Sequence, residues 1–470
     1  FWLSANLKVY RFLLPYLPYT KRWQQYKKTM SLYKDWGYTS NPFKSSPIQP
    51  TLKGSNLLVG REKEKKKIKS RLKNDSGIIT IEGENGIGKT SVINTSIYEL
   101  FEESISSEDK DEFYLPCIQT FQISPKNDLT EFIDNFYFSL AQTVISKKKE
   151  IKDSGIKNLK IENLNKWLNS SEVKNIEAQI AGFGGAYNSS PNESEGFVKS
   201  GFKKQIKSLL TQIFPNPDTG GIICIVDNLE LLETSEDAKR TLEYLRDEIF
   251  NIPQVKWFFS GSHNIFRTFI STPRLSGFIQ KPLKINKLNN INVPYILKSR
   301  INSYQNHVDN KPYTPITETD FISLFDSING NLREAFKRLS NYYLFVYELD
   351  EEPFSDEGKS KLFKKWFEQD KKEEFNSIME VLQDNEINLL KLLSTQNTNL
   401  ITDEVLDEND LKSISELRNT ISNLEKYGII YIPILENEFM EQNKYKKKQD
   451  LLKNVFLTPK THYIKQHLCE

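Results

Sequence analysis

The stretch that decides the fold runs from Gly77 to Tyr98 and reads GIITIE, GENGIGKT and SVINTSIY in succession. The first block, residues 77–82, is a short β-branched run of the kind that forms a buried parallel strand. The last block, residues 91–98, carries apolar side chains at helical spacing. The middle block matches the pattern GxxxxGK(S/T) at every fixed position. The sequence therefore predicts a strand, a phosphate-binding glycine loop and a helix, in the order that such a loop requires.

The residue types of this loop point to a nucleotide and a metal ion. Glycines let the backbone N–H groups turn inward around a phosphate, and the helix N-terminus adds partial positive charge. We expect Lys89 to reach the β- and γ-phosphates and the Thr90 hydroxyl to bind Mg²⁺. The predicted cofactors are therefore ATP and Mg²⁺, and the predicted nucleotide-binding residues of the loop are Gly83, Glu84, Asn85, Gly86, Ile87, Gly88, Lys89, Thr90 and Ser91.

A second apolar run supplies the acidic partner that a magnesium site needs. Residues 221–227 read GIICIVD, which is typical of a buried strand with Asp227 at its carboxyl end, where ligands bind in open α/β sheets. We predict Asp227 as a metal ligand together with Thr90, and Glu230 as the carboxylate that orients the attacking water. Asn228 occupies the position directly after Asp227, where many hydrolysing ATPases carry glutamate. Either Glu230 acts from the next turn or hydrolysis is slow.

A third apolar run, residues 255–259, leads to Ser260. A polar group at this strand end could contact the γ-phosphate or the water, and we predict Ser260 for that role. Serine also ends many strands without any function, so the alternative is a purely structural residue. Residues 113–123 and 284–285 are typical of further strands, which brings the predicted parallel sheet to about five strands.

Several segments of the chain resemble the AAA+ and STAND group of P-loop ATPases. They are LLVGRE at residues 57–62, GENGIGKT at 83–90, IICIVDNLE at 222–230, WFFSGS at 257–262 and GNLREA at 330–335. Within that group the chain is most similar to the branch that includes archaeal replication-initiator ATPases, over residues 55–465. The resemblance implies an α/β fold with a three-layer parallel sheet, followed by a helical lid and a winged helix domain.

The resemblance also implies roles for residues outside the loop. It places Val59 and Gly60 beside the adenine, and it makes Arg333 the lid arginine that senses the γ-phosphate. The predicted catalytic residues are therefore Glu230, Lys89, Ser260 and Arg333. Ring-forming members often show a Ser-Arg pair before the lid, but residues 274–278 read RLSGF, which leaves only Arg274 or Arg267 to take that role. This departure and Asn228 favour a nucleotide-gated switch over a processive motor.

The predicted domains follow from these motifs and from helical periodicity. We expect an N-terminal arm and linker at residues 1–54, the ATPase core at 55–285, the helical lid at 286–349, a linker at 350–372 and a winged helix domain at 373–470. Winged helices often bind DNA, but residues 371–470 carry 13 basic and 17 acidic side chains. An electrostatic footprint for phosphates is confined to the predicted wing, at Lys444, Lys446, Lys447 and Lys448. Protein interaction or autoinhibitory packing is the alternative that this charge favours.

Charge is distributed unevenly along the chain. The formal net charge is +2, yet the first 50 residues carry +7 with many aromatic side chains, so the remainder carries −5. Prolines and charges interrupt every apolar stretch of the arm, which excludes a membrane-spanning helix there. The arm is either a surface segment whose aromatic residues pack on the body or a basic collar that contacts a membrane or a partner.

Three widely spaced cysteines and four histidines provide neither a disulfide framework nor a zinc motif. We expect a cytoplasmic protein, and the arm would be its contact with any membrane. The predicted function is an ATP-binding, slowly hydrolysing molecular switch that regulates a protein partner, as in defence against phage or in signalling, and that assembles into homo-oligomers on ATP binding. The alternative is a DNA-associated ATPase, a loader or targeting subunit in replication or transposition.

Overall fold

The computed structural model describes most of the 470 residues. The described ranges are 31–74, 77–107, 112–124, 128–156, 199–232, 236–262, 265–266, 273–306, 311–349, 351–395, 400–401, 414–432 and 453–469. The arm up to residue 30 and the predicted wing with Lys444, Lys446, Lys447 and Lys448 lie outside them.

The chain divides into two compact units. The helical unit contains the described residues up to Ser46 and those from Leu288 to Glu380. The sheet unit contains the described residues of Pro47–Lys287 and Val381–Glu470. The chain therefore passes between the units at three places, after Ser46, after Lys287 and after Glu380.

The strands and helices are numbered here in chain order. The strands are β1 (Ile79–Glu82), β2 (Phe113–Phe121), β3 (Gly220–Val226), β4 (Val255–Gly261), β5 (Leu283–Lys284), β6 (Leu400–Ile401), β7 (Ile430–Tyr431), β8 (Lys453–Asn454) and β9 (Phe456–Leu457). The helices are α1 (Leu32–Asp35), α2 (Leu52–Leu57), α3 (Glu62–Asn74), α4 (Lys89–Ser106), α5 (Leu129–Ser146), α6 (Lys148–Asp153), α7 (Lys199–Ile213), α8 (Glu236–Leu245), α9 (Pro273–Ser276), α10 (Val293–Tyr304), α11 (Glu318–Ser327), α12 (Leu332–Tyr347), α13 (Asp356–Met379), α14 (Asp384–Thr395), α15 (Ile414–Lys426) and α16 (Pro459–Cys469).

The sheet unit is built on a five-stranded parallel sheet in the order β2-β3-β4-β1-β5. Every residue of β1 and β3 is buried, as expected for apolar runs covered on both faces. One hydrophobic cluster packs α5, α7 and α8 against the sheet, and another packs α3 and α4 against it. Because all the strands are parallel, the loops after β1, β3 and β4 meet at one edge of the sheet. This confirms the predicted parallel sheet of five strands.

Aromatic side chains hold the helical unit together. Trp36, Tyr38 and Phe43 are buried, although they come from the segment before the first crossing. The ring centroids of Trp36 and Phe43 lie 5.5 and 4.8 Å from that of Tyr343, which belongs to α12. Edge-to-face contacts of this kind add to the free energy gained from burial. Residues 31–46 are therefore part of this unit's core.

The structure differs from the predicted linker at residues 350–372. The 24-residue helix α13 begins at Asp356, where the Ser355 side chain accepts a hydrogen bond from the Gly358 N–H. Its aromatic side chains Phe363 and Trp366 pack against Tyr342 of α12, with ring centroids 5.2 and 4.9 Å apart. Residues 356–372 of the predicted linker thus belong to a packed helix. The domain boundaries themselves stay predictions.

The C-terminal residues of the sheet unit form three helices and two short antiparallel strand pairs among the described ranges. Strand β6 pairs with β8, and β7 pairs with β9. Helix α14 packs on α15 and α16. These elements lie where the sequence predicts helices and strands, but a winged helix stays a prediction. None of the helices within the described residues is both long and apolar enough to cross a bilayer.

A buried arginine links α12 to α13 in the helical unit. Arg338 is 4 % exposed and contacts Glu334, Asp370 and Glu374 at 3.1, 2.6 and 2.9 Å. Removing the guanidinium takes the shared counter-charge from these three carboxylates, and breaking such a buried network costs about 3–5 kcal/mol.

We predict that Arg338→Ala lowers the free energy of unfolding by that amount in urea titrations followed by circular dichroism. The control is Lys337→Ala, because that neighbouring side chain is 67 % exposed. Its free energy of unfolding should stay within about 0.5 kcal/mol of wild type. Equal losses in the two variants would contradict a structural role for the network.

Candidate nucleotide-binding site

The glycine loop between β1 and α4 requires glycine at two positions for different reasons. A Cβ on Gly83 would lie 2.8 Å from the carbonyl oxygen of Ile285, so no side chain fits there without a backbone shift. Gly88 has a φ of 101° and precedes the first residue of α4, in a region that other residues adopt only with strain. The loop therefore turns tightly and ends at the N-terminus of an 18-residue helix.

Lys89 lies inside this loop. Its side chain is buried, and its ammonium group donates hydrogen bonds to the carbonyl oxygens of Gly83 and Glu84 at 3.0 and 3.2 Å. It also reaches the side-chain oxygen of Asn85 at 3.3 Å. A cation held at the centre of a ring of backbone groups is the arrangement that binds phosphate oxygens.

Thr90 contacts the end of β3 directly. Its hydroxyl donates a hydrogen bond of 2.6 Å to the carboxylate of Asp227. The two residues are 137 positions apart in the sequence, and only the parallel sheet brings them together. A glycine loop, its lysine, and a hydroxyl paired with a strand-end aspartate are together the phosphate- and metal-binding parts of a P-loop NTPase.

A family model described as the KAP family P-loop domain matches residues 62–349. The chain belongs to the KAP family of P-loop NTPases. The KAP domain thus starts at the first residue of α3 and includes all five strands of the parallel sheet as well as α10–α12. The narrower assignment to the STAND group stays a prediction.

Three solved archaeal structures are similar to this KAP chain. The Walker-type ATPase PABY2304 of Pyrococcus abyssi has 13 % identity and a TM-score of 0.47, over 90 % of this chain and 99 % of that one. The ORC2 protein of Aeropyrum pernix in ADPNP-ADP complexes has 12 % identity and a TM-score of 0.44, over 91 % and 95 %. The ORC1 protein of Aeropyrum pernix, in complex with DNA, has 13 % identity and a TM-score of 0.41, over 87 % and 92 %. No curated protein matches the chain.

The donor set at Thr90 and Asp227 fits a magnesium ion. Mg²⁺ prefers oxygen ligands and usually takes only one or two from the protein, with substrate phosphates and water as the others. A hydroxyl and a carboxylate 2.6 Å apart can both reach one such ion. Within the described residues no group of three or more His, Cys, Asp or Glu side chains could hold a metal ion.

Glu230 and Ser260 lie at the same edge of the sheet. Glu230 is on the 3₁₀ turn Leu229–Leu232, and its carboxylate accepts a hydrogen bond of 3.2 Å from the backbone N–H of Ser262. Ser260 is the penultimate residue of β4 and is fully buried, and its hydroxyl has no hydrogen-bond partner in the described part of the chain. The sheet thus brings both predicted residues to the strand ends beside Asp227, and one oxygen of Glu230 already has a partner.

Asn228 has an unusual backbone conformation. Its φ is 57°, which is left-handed and uncommon for a residue other than glycine. Its N–H donates to the Asp227 carboxylate at 3.0 Å, while its carbonyl accepts from the Leu231 N–H. The chain therefore turns immediately after Asp227, and the backbone N–H of Asn228 helps to hold the Asp227 carboxylate. The sequence revealed the unusual residue type but not this conformation.

Arg61 is a site residue that sequence reasoning missed. It is 3 % exposed, and its guanidinium donates to the carbonyls of Ile87 in the glycine loop and Asn286 after β5, at 3.2 and 2.7 Å. Burial lowers its pKa, and its ion pair with Glu64 opposes that shift. Arg61 follows Val59 and Gly60, so it fixes the segment predicted to contact the adenine. Arg61 is the third residue of the VGRE motif, and that position could have identified it as a site residue from the sequence.

A cavity of about 320 Å³ opens beside this arginine. Its lining is formed by Glu84, Ile87, Ile285, Asn286 and Lys287. Lys287 lies 3.7 Å from the Glu84 carboxylate. The cavity thus combines two apolar side chains with groups of both charges at the rim of the glycine loop.

C-terminal side chains of the same unit approach this rim. Burial raises the pKa of Tyr431 in β7, and the nearby Glu84 carboxylate adds to the effect. Burial lowers the pKa of His462 in α16 to about 4, and the positive charges of Lys287 and Lys465 lower it further. His462 is therefore neutral at pH 7, and the C-terminal helices lie within electrostatic range of the loop.

The predicted arginines differ in their surroundings, and one of them lies outside the described ranges. Arg333 is an exposed residue in the first turn of α12, in the helical unit. Arg274 is held by Glu243 and Asp247 at 3.1 and 2.9 Å within its own subunit. Arg267 lies outside the described residues. An arginine already bound by two carboxylates is poorly suited to complete a neighbour's site.

The left-handed backbone at Asn228 leads to a stability prediction. A β-branched residue at that φ costs about 1–2 kcal/mol, whereas glycine adopts it without strain. Asn228→Val should therefore lower the free energy of unfolding by that amount, and Asn228→Gly should leave it nearly unchanged, as measured by urea titration. Asn251→Val is the matched control, because Asn251 has a φ of −84° and is exposed. A loss no larger at 228 than at 251 would contradict the prediction.

Proposed function

We propose that this KAP protein is an ATP-binding, slowly hydrolysing molecular switch whose nucleotide state regulates a protein partner. The observation that carries the proposal is the contact between Thr90 and Asp227, since it joins the phosphate loop to the strand end where a metal would bind. The partner's identity, the oligomer formed with ATP and any role in defence or signalling belong to this proposal.

In this proposal each loop residue has one task. Lys89 and the loop N–H groups bind the β- and γ-phosphates, and Thr90 and Asp227 hold Mg²⁺. The ion supplies charge neutralisation at the phosphates when it is bound. Ser260 presents its hydroxyl toward the γ-phosphate or the water. Val59, Gly60 and the cavity next to Arg61 accommodate the base.

Slow hydrolysis is supported by the acidic group available. The position after Asp227 carries a neutral amide, Asn228, so no carboxylate is present there to accept a proton. Glu230 takes the task from the next turn, and its hydrogen bond from Ser262 restrains its carboxylate. A general base that is displaced and already hydrogen-bonded accepts a proton less readily than a free one.

Two of the three chain crossings between the units are hydrogen-bonded to the phosphate-binding region, which supports a switch. After the first crossing, the Ile48 N–H donates to the Ser91 hydroxyl at 3.1 Å, and its carbonyl accepts from the Asn94 side chain at 2.8 Å. Before the second crossing, Asn286 is held by Arg61, and Lys287 lies beside Glu84. A shift in the loop or in α4 is therefore transmitted to both segments that lead into the helical unit.

The helical unit has its own anchor for the first crossing. Arg300 is buried, and its guanidinium donates to the carbonyls of Pro42 and Lys44 at 3.2 and 3.5 Å. Only a short segment separates this anchor from Ile48. In the proposal this unit is the lid that carries Arg333, the C-terminal helices form the winged helix domain, and both respond to the nucleotide.

The first test concerns nucleotide binding. Lys89→Ala removes a charge-assisted contact to the phosphates, so we expect the affinity for ATP to fall about 10- to 100-fold, as measured by calorimetry with Mg²⁺ present. Lys148→Ala, at an exposed lysine of α6, is the control and should bind as wild type does. Undiminished affinity in Lys89→Ala would reject the proposal.

The second test concerns coupling through the first crossing. Asn94→Ala removes the donor that holds the Ile48 carbonyl, so ATP should still bind within about threefold of wild type, because no phosphate contact is lost. In wild type, ATP should change the rate of tryptic cleavage after Lys44 and Lys287, the lysines next to the two crossings. That change should disappear in Asn94→Ala.

Ser96→Ala is the control for this experiment. Ser96 is buried in the same helix, but its hydroxyl donates only to the Val92 carbonyl within the helix. ATP-dependent cleavage in Asn94→Ala that equals wild type would exclude this segment as the coupling element. Wild-type cleavage that never responds to ATP would reject the switch itself.

A further inference from the structure

The edge of the sheet next to α3 carries a row of exposed lysines. Lys63 and Lys67 are on α3, while Lys281 and Lys284 come just before and within the edge strand β5. All four side chains are exposed. We call these four residues the lysine strip. None of them forms an ion pair with another described residue, whereas Arg61, Lys65 and Lys69 nearby each pair with a glutamate.

Two arginines fix the helix alongside the strand. At the N-terminal end of α3, the Arg61 guanidinium donates to the carbonyl of Asn286 at 2.7 Å. At the other end, Arg71 donates to the carbonyl of Lys281 at 2.5 Å. The ten residue steps from Arg61 to Arg71 span about 15 Å of helix. The five residue steps from 281 to 286 span about 16 Å of extended chain. Helix and strand therefore run side by side, and the strip is about 15 Å long.

The charges of this helix are segregated around its axis. Lys65 and Lys69 face α4, where Glu99 lies 2.8 and 2.9 Å from their ammonium groups. At 100° per residue, Lys63 and Lys67 lie on nearly the opposite side and one turn apart. The carboxylates in the first turn of α3 pair with cations outside the strip, since Glu62 contacts Lys65 and Glu64 contacts Arg61. The positive charge of the strip is thus left uncompensated by its own helix.

We propose that the lysine strip binds the phosphate backbone of a nucleic acid without regard to base sequence. One strand of a duplex presents a phosphate about every 3.4 Å along the axis, so a strip of this length faces about four phosphates. Lysine is a point charge that contacts phosphates individually and carries no base specificity. The strip lies on the KAP domain itself and contains no residue of the arm or of the predicted wing, and the inference does not depend on ATP hydrolysis.

The apolar residues nearby argue against a lipid surface as the ligand. The apolar positions of α3, Ile68 and Leu72, are 0 and 1 % exposed, because they face the sheet. Ile285 after β5 is 1 % exposed, and Leu283 is half-buried. Helices that lie in a membrane interface insert an apolar face, and this helix has none to offer. Lysines at a sheet edge can also serve only to prevent pairing with the edge of another sheet. The experiment must distinguish that role from nucleic-acid binding.

The test measures binding of the full chain to a random-sequence 20-base-pair duplex by fluorescence anisotropy over a range of salt concentrations. With about four phosphate contacts, the slope of log K against log salt should lie between about −3 and −4. The triple variant Lys63→Gln, Lys67→Gln and Lys284→Gln should lower the affinity at least about tenfold and make the slope less steep by about 3. A single strand of the same sequence, tested in parallel, shows which form of backbone the strip prefers.

The matched control removes three exposed lysines elsewhere in the same unit. Lys148→Gln, Lys149→Gln and Lys152→Gln on α6 change the net charge equally, and they should leave affinity and slope nearly unchanged. Thermal unfolding and ATP binding of both triple variants show whether the fold and the nucleotide site persist. A result that contradicts nucleic-acid binding by the strip therefore leaves the proposed nucleotide switch untouched.

Three results would overturn the proposal. The first is an equal loss of affinity in both triple variants, since net charge alone would then explain binding. The second is strip-dependent binding to phosphatidylserine vesicles with none to either nucleic acid. The third is the absence of nucleic-acid binding in wild type together with aggregation of the strip variant, which would assign the lysines to edge protection.

Discussion

The contact between the Thr90 hydroxyl and the Asp227 carboxylate is the constraint on which the site depends. It forms only if β1 and β3 are parallel and separated by β4, so that the glycine loop and the end of β3 reach the same edge of the sheet. The close approach of Gly83 to Ile285 and the left-handed Gly88 follow from the same requirement. The sheet topology and the two glycines thus place the loop N–H groups, the Lys89 ammonium group and the oxygens of Thr90 and Asp227 around one small volume.

Buried cations are the second organising element of the molecule. Arg61, Arg300 and Arg338 are each at most 6 % exposed, and each joins segments far apart in the chain. Arg61 joins the glycine loop to the exit of β5, Arg300 holds the segment before the first crossing, and Arg338 joins α12 to α13. A buried guanidinium must be neutralised or fully hydrogen-bonded, because an uncompensated charge in a low-dielectric interior is costly. These residues therefore fix where each segment lies more strictly than apolar packing would.

Several features were predictable because they depend on local patterns. The buried runs at residues 77–82 and 221–227 could only be central parallel strands, and the fixed spacing of GENGIGKT defined the loop between strand and helix. The segment of residues 350–372 was harder to predict. Its first residues, 350–360, are acidic and typical of a loop, yet Phe363 and Trp366 pack against Tyr342, and Arg338 neutralises Asp370. Composition cannot reveal a helix whose stability comes from partners in distant segments.

The sequence alone determined that the chain has a phosphate-binding loop, which acid follows the third strand and how unevenly the charge is distributed. These properties depend only on residue type and spacing, so they can be read without knowing how the chain folds. Tertiary structure decided that Thr90 meets Asp227, that Glu230 is held by Ser262, that Arg61 supports the loop, and that lysines from α3 and from the edge-strand segment form one row. Each of these is a distance between segments that the sequence separates widely. Such distances are set by the packing of the whole sheet, because burying its apolar faces leaves only one arrangement of the loops at its edge.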